Sequence, residues 1–204
     1  DRKPVTTLGV TEAATYATAF SPDGRLLATG GRDRVVRVWS TETWQLMENH
    51  AGHEATVLAA CFIGDGGMLA TSAADGGVRV WEMSKGGPFR AFSGHEDRAF
   101  GIAAAPDGTR LATCGEDGFA RIWDVATGAE LLALRHPFRV NGVAWVGSGD
   151  RVATACADGV VRVWDARDGR ELRHLRGHAG AVLGDMVGRV FRAHAAVEAR
   201  VDAA

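Results

Sequence analysis

Tryptophan recurs in this 204-residue chain at Trp39, Trp81, Trp123 and Trp164, with spacings of 42, 42 and 41 residues. A fixed period of that length dictates the fold more strongly than any local propensity, because each repeat must be one supersecondary unit that buries its apolar face only against its neighbours. The surrounding text repeats with the tryptophan: VVRVWS, GVRVWE, FARIWD and VVRVWD, with Asp33, Asp75, Asp117 and Asp158 each six residues earlier. Upstream of each Asp stand LATGG, LATSA, LATCG and VATAC, and before those SPDG, IGDG, APDG and the looser GSGD. Gly-His pairs end at His53, His95 and His178, each His 14 residues after a Trp, while the third instance has become Arg135-His136, one residue shorter. His53, His95 and His136 each precede the next Trp by 28 residues, so the register holds.

Locally the chain reads as β structure. Short alternating or β-branched runs such as VLAACFI, MLATSA and GVRVW are separated by Asp-Gly pairs, which supply the positive φ angles of tight hairpins. Asp65-Gly66 and Asp107-Gly108 are placed to turn the first strand of a repeat into the second. Asp75-Gly76, Asp117-Gly118 and Asp158-Gly159 turn the second into the third, and Thr127-Gly128 to Leu134 reads as a fourth.

These residues resemble the WD-repeat family, the likeness covering roughly residues 3 to 183. The resemblance implies an all-β propeller in which each repeat forms a blade of four antiparallel strands. Four recognisable blades are fewer than the seven such rings usually have, so a partial ring with an exposed apolar blade face at each end is expected, and with it self-association through those faces. Residues 3 to 8 align with the outer strand of a preceding blade, and the absence of an initiator Met at Asp1 suggests a piece of something longer. Residues 1–183 are read as propeller blades and 184–204 as a divergent tail. That tail is either an amphipathic helix, with Val187, Val190, Phe191, His194, Val197 and Val201 on one face, or an interrupted fifth repeat.

In the family a histidine, a Ser or Thr, the turn Asp and the Trp form a buried hydrogen-bonded chain. Carried over, this assigns a structural role to His53, Asp75 and Trp81, to His95, Asp117 and Trp123, to His136, Asp158 and Trp164, and to Asp33 and Trp39. The expected Ser or Thr, two residues before each Asp, is Gly31, Ala73, Gly115 or Cys156, which implies a chain shortened in all four blades, with the bridge to the indole in question. The first blade also has Thr11 where the register puts its His, and is expected to be the least rigid.

The function classes narrow accordingly. A net charge of -2 without a run of Lys and Arg argues against nucleic acid, and no apolar stretch is long enough for a membrane helix. Cys61, Cys114 and Cys156 are odd in number and sit in apolar runs, so they read as core residues of a reducing compartment, which makes the cytoplasm the expected location. His50-x-x-His53 and His174-x-x-x-His178 lack the further ligands of a metal site, and the glycine turns lack a phosphate loop's Lys, so no metal and no cofactor is assigned. Arg37, Arg79, Arg121 and Arg162, two before each Trp, are read as structural. With the recurrent Asp and His spent on structure, no catalytic set stands out, and the expectation is a non-enzymatic protein-interaction module. The family's partner-docking face maps by register onto Arg32, Glu54, Glu96, Asp97, Arg98, Glu116, Phe138 and Arg139, a mixture of signs suited to a protein or peptide partner. The alternatives are the recognition part of a larger signalling enzyme, a kinase or nucleoside-triphosphatase, and a truncated remnant without independent function.

Overall fold

A computed structural model describes Leu8, residues 13–83 and residues 88–176 of the chain. Four four-stranded antiparallel sheets follow one another, each with its strands in chain order. The first blade is β1 (Thr15–Phe20), β2 (Leu26–Gly31), β3 (Val35–Ser40) and β4 (Leu46–Ala51), and the second is β5 (Val57–Ile63), β6 (Met68–Ala73), β7 (Val78–Glu82) and β8 (Pro88–Phe92). The third is β9 (Ala99–Ala104), β10 (Arg110–Gly115), β11 (Phe119–Asp124) and β12 (Glu130–Arg135), and the fourth is β13 (Val140–Val146), β14 (Arg151–Cys156), β15 (Val161–Asp165) and β16 (Glu171–Leu175). The described residues contain no helix. The strand expected at residues 3–8 and the tail at 184–204 lie outside the described residues, Leu8 apart.

Blades stack because each sheet is apolar on both faces. The first strands β1, β5, β9 and β13 pack against one another in order. Ala28, Val36 and Val38 of the first blade meet Val57, Leu69 and Trp81 of the second. The same positions recur at the next seam as Ala70, Val78 and Val80 against Ala99, Leu111 and Trp123, and at the last as Ala112, Ala120 and Ile122 against Val140, Val152 and Trp164. Stability therefore resides in the seams, where burial at roughly 25 cal/mol per Å² supplies what a lone sheet lacks.

The sheets do not close into a ring. Phe20 is 62 % exposed, whereas its equivalent Phe62, covered by the first blade, is 8 % exposed. At the other end Leu175 is 44 % exposed, against 2 % for its counterpart Phe92. The end faces are nevertheless not the bare apolar sheets expected from the repeat count: Leu27 and Trp39 on one, and Ala153, Ala155, Val161 and Val163 on the other, are buried. The exposed apolar surface narrows to the inner strand at one end and the outer strand at the other, a weaker basis for self-association than two open sheets.

Glycines at the hairpin turns do what the Asp-Gly pairs predict, with φ of 75°, 79° and 80° at Gly76, Gly118 and Gly159. In the first blade the equivalent residue is Arg34, held at φ 66°. A side chain there costs about 1–2 kcal/mol, offset in part by the hydrogen bond from Arg34 Nη1 to the Glu54 carbonyl at 3.2 Å. Arg34→Gly should therefore raise the unfolding free energy by about 1 kcal/mol in a urea titration.

Candidate functional site

The buried polar chain is built around a threonine in every blade, and it is not the residue expected. Trp39, Trp81, Trp123 and Trp164 donate Nε1–H to Thr29, Thr71, Thr113 and Thr154 at 2.8–2.9 Å. Each Thr stands four residues before the turn Asp, the third letter of LATGG, LATSA, LATCG and VATAC, so the bridge to the indole that Gly31, Ala73, Gly115 and Cys156 put in question is present throughout. The geometry explains the offset. Trp81 pairs across the sheet with Leu69, and Thr71, two residues on and on the same face, is its diagonal neighbour.

The same hydroxyls meet the histidines, with His53, His95 and His136 placing Nε2 at 2.8 Å from Thr71, Thr113 and Thr154. What Nδ1 meets differs. In the third blade it donates to Asp117, with both carboxylate oxygens at 3.0 Å, completing a His, Thr, Trp and Asp set. In the second, Arg79 donates to His53 Nδ1 at 2.5 Å while Asp75 stands off at 3.8 Å. In the fourth, His136 Nδ1–H turns to the Leu134 carbonyl at 2.9 Å, and Asp158 is taken by Arg162 at 2.6 Å. The recurrent arginines all reach the turn Asp of their own blade: Arg37 to Asp33, Arg79 to Asp75, Arg121 to Asp117 and Arg162 to Asp158.

These surroundings set the charge states. Burial holds His53 down to about 4, with the Arg79 cation adding to it. Burial does the same for His136, also to about 4, against the pull of the Leu134 carbonyl. His95 is lowered by burial too, with Asp117 opposing. Burial works to raise the Asp158 carboxyl, but hydrogen bonds from Arg162 and the Val160 amide outweigh it and hold the group at about 2. All three cysteines are free thiols, and burial pushes Cys61 up to about 12.

At one end of the blades this network anchors a rim. Asp75 accepts from the Glu54 amide, and the Glu116 amide donates to the Arg98 carbonyl, so turn and loop of each blade are tied together. The His136 amide donates to the Gly118 carbonyl, extending the β11–β12 ladder, while its ring reaches Thr154 of the fourth blade, so this residue ties blade to blade. Of the residues assigned to the docking face, Arg32, Glu54, Glu96, Asp97, Arg98, Phe138 and Arg139 are exposed on these loops and turns, and Glu116 is half-buried. Arg98 pairs with Glu116 at 3.8 Å. Glu116, Phe138 and Arg139 share a depression of about 310 Å³ beside the turn of the third blade.

Sequence reasoning missed a second group of residues. Each inner strand carries a β-bulge at its start: Val57 pairs with Ala73 and Ala59 with Ser72, which leaves Leu58 as the extra residue. Tyr16, Phe100 and Asn141 hold the same position in the other blades. A bulge re-aims a side chain, and here all four line one groove of about 410 Å³ along the inner strands.

Against known proteins, the family described as WD domain, G-beta repeat matches residues 2–40, 44–82, 86–124 and 129–165. The chain belongs to the WD-repeat family. A stretch of 38 residues, 19 % of the chain, is 45 % identical to the general transcriptional corepressor TUP1 of Saccharomyces cerevisiae, and it spans about 5 % of that relative's length. WD-repeat domains are in general non-catalytic interaction modules. The WD unit matched at 44–82 begins before β4 and runs through β7, and those at 86–124 and 129–165 begin before β8 and β12 in the same way, so each of these three units gives its outer strand to one blade and its inner three to the next. The seams are thus stitched covalently as well as packed. In the sequence Leu58, Phe100 and Asn141 each lie five residues after their blade's histidine, a fixed register whose side chain varies and which marks no bulge by itself.

Proposed function

We propose that this WD-repeat chain is a non-catalytic scaffold that presents its rim and the adjoining mouth of the inner-strand groove to a protein or peptide partner. The observation that carries the reading is the row of bulge residues, Tyr16, Leu58, Phe100 and Asn141, set at four consecutive blades beside the charged rim. Elsewhere in each blade apolar side chains are spent on seams; Tyr16, Leu58 and Phe100 lie outside the apolar clusters, and Tyr16 is 58 % exposed. A groove that sets Tyr16, Leu58 and Phe100 beside polar Asn141, with groups of both signs, Glu54, Glu96, Asp97, Arg98 and Arg139, on the adjoining rim, has the anatomy of a protein-binding patch. Arg32 and Phe138 extend it at either end. The similarity of one repeat to a corepressor agrees with protein partners. The reading holds whether the module stands alone or is joined to a kinase or nucleoside-triphosphatase in a longer protein. Three free thiols, buried at Cys114 and Cys156 and half-buried at Cys61, fit a reducing compartment, and the cytoplasm is the location proposed.

Peptides selected by display against the folded chain provide the test. Phe100→Ala should weaken their binding at least tenfold, as loss of a central anchor does, and Arg98→Ala with Arg139→Ala should weaken it further while thermal unfolding stays unchanged. Unaltered binding by the folded triple variant would refute the assignment.

A further inference from the structure

The seam between the first and second blades carries a titratable side chain where the others carry an apolar one. Where Phe92 and Leu134 fill the outer-strand position of the second and third blades, β4 carries His50, which is 0 % exposed. Its ring lies 5.1 Å from that of Trp81, as the Phe92 ring lies 5.7 Å from Trp123. His50 thus does the packing work of an apolar side chain. Neither of its ring nitrogens has a well-aligned hydrogen bond; Nε2 lies 3.1 Å from Glu48 Oε2, an ion pair once the ring is charged.

Two imidazoles consequently border one indole, since His53 lies 6.0 Å from Trp81 on an edge contact. The charged and titratable groups of this seam are Glu48 on β4 itself, His53 in the following loop, Arg79 on β7, Asp75 in the turn before β7, and Arg34, which reaches the Glu54 carbonyl from the first blade. Arg79 already donates to His53 Nδ1, so a cation of this seam faces the histidines. At the next seam the equivalent of His50 is Phe92, which takes up no proton, and His95 donates Nδ1–H to Asp117, a carboxylate that can keep its partner when the ring is charged.

We infer that the seam between the first and second blades is an acid-responsive joint, in which proton uptake by His50 loosens the first blade from the rest while the seam between the second and third blades stays shut. A neutral ring packs there as Phe92 does; an imidazolium must either be desolvated beside Trp81 or swing out to water, and swinging out vacates the seam. Burial keeps His50 below its ordinary value, with Glu48 pulling the other way. Opening would displace Tyr16 and Arg32 from the remainder of the rim. That consequence for binding rests on the functional reading above; the joint itself does not.

Hydrogen exchange of the full chain, expressed as protection factors so that intrinsic rates cancel, reads the joint without any partner. Between pH 7.5 and pH 5, protection in β3 and β4 should fall at least tenfold more than in β10 and β11. His50→Phe, which installs the residue found at position 92, should abolish that excess, and His50→Leu, matching position 134, serves where the Phe variant does not fold. A fall of equal size in all blades, or an excess that persists in whichever variant folds, overturns the inference.

Discussion

Thr113→Val should cost about 3 kcal/mol of unfolding free energy, although it removes a single oxygen and keeps the side chain's shape. Thr113 is fully buried, accepts from the Trp123 indole at 2.8 Å and meets His95 Nε2 at 2.8 Å. Without the hydroxyl, the indole N–H and the imidazole nitrogen both remain buried with no water to replace it, and each such orphan costs about 1–3 kcal/mol. Thr29 in the first blade supports the Trp39 indole alone among the described contacts, so Thr29→Val should cost only about 1 kcal/mol. Urea denaturation of the two variants decides the matter. Equal losses would mean that the histidine contributes nothing to the chain of bonds.

Acid should weaken the fold through the same network. His53 and His136 titrate near 4 in the folded chain but at an ordinary value of 6.5 once unfolded. Between these values the unfolded chain holds more protons, so stability rises with pH there. Their contribution is complete above about 6.5 and is lost as pH falls toward 4. A displacement of that size is worth roughly 3 kcal/mol for each histidine. Denaturation at pH 7.5 and pH 4.5 should show most of this loss. His53→Gln, which keeps a donor for Thr71 but cannot take up a proton, should reduce the difference by about half. A pH dependence unchanged by that substitution would exclude His53 as a source.

How far the sequence discloses this architecture depends on what its regularity can encode. The period in Trp39, Trp81, Trp123 and Trp164 specifies the blades, and Asp-Gly at 75–76, 117–118 and 158–159 specifies the hairpins, because each is a local chemical requirement repeated in place. Thr71 and its equivalents stand in plain view in the repeated L-A-T, yet counting from the Asp places the hydroxyl two residues away at Ala73. Strand alternation puts both residues on one face, and only cross-strand pairing shows which of them neighbours the indole. Leu58 and Phe100 escape notice for a related reason: a bulge inserts one residue into the alternation, and the shift is a property of two strands, visible in neither alone.

A hydrogen-exchange footprint of the chain saturated with a display-selected peptide tests the central assignment most directly. Protection confined to the loops around Glu54, Glu96 to Arg98 and Phe138 to Arg139, together with the first turns of β1, β5 and β9, is the result expected. Protection centred instead on the outer strands β4, β12 and β16, with the rim unchanged, would contradict it.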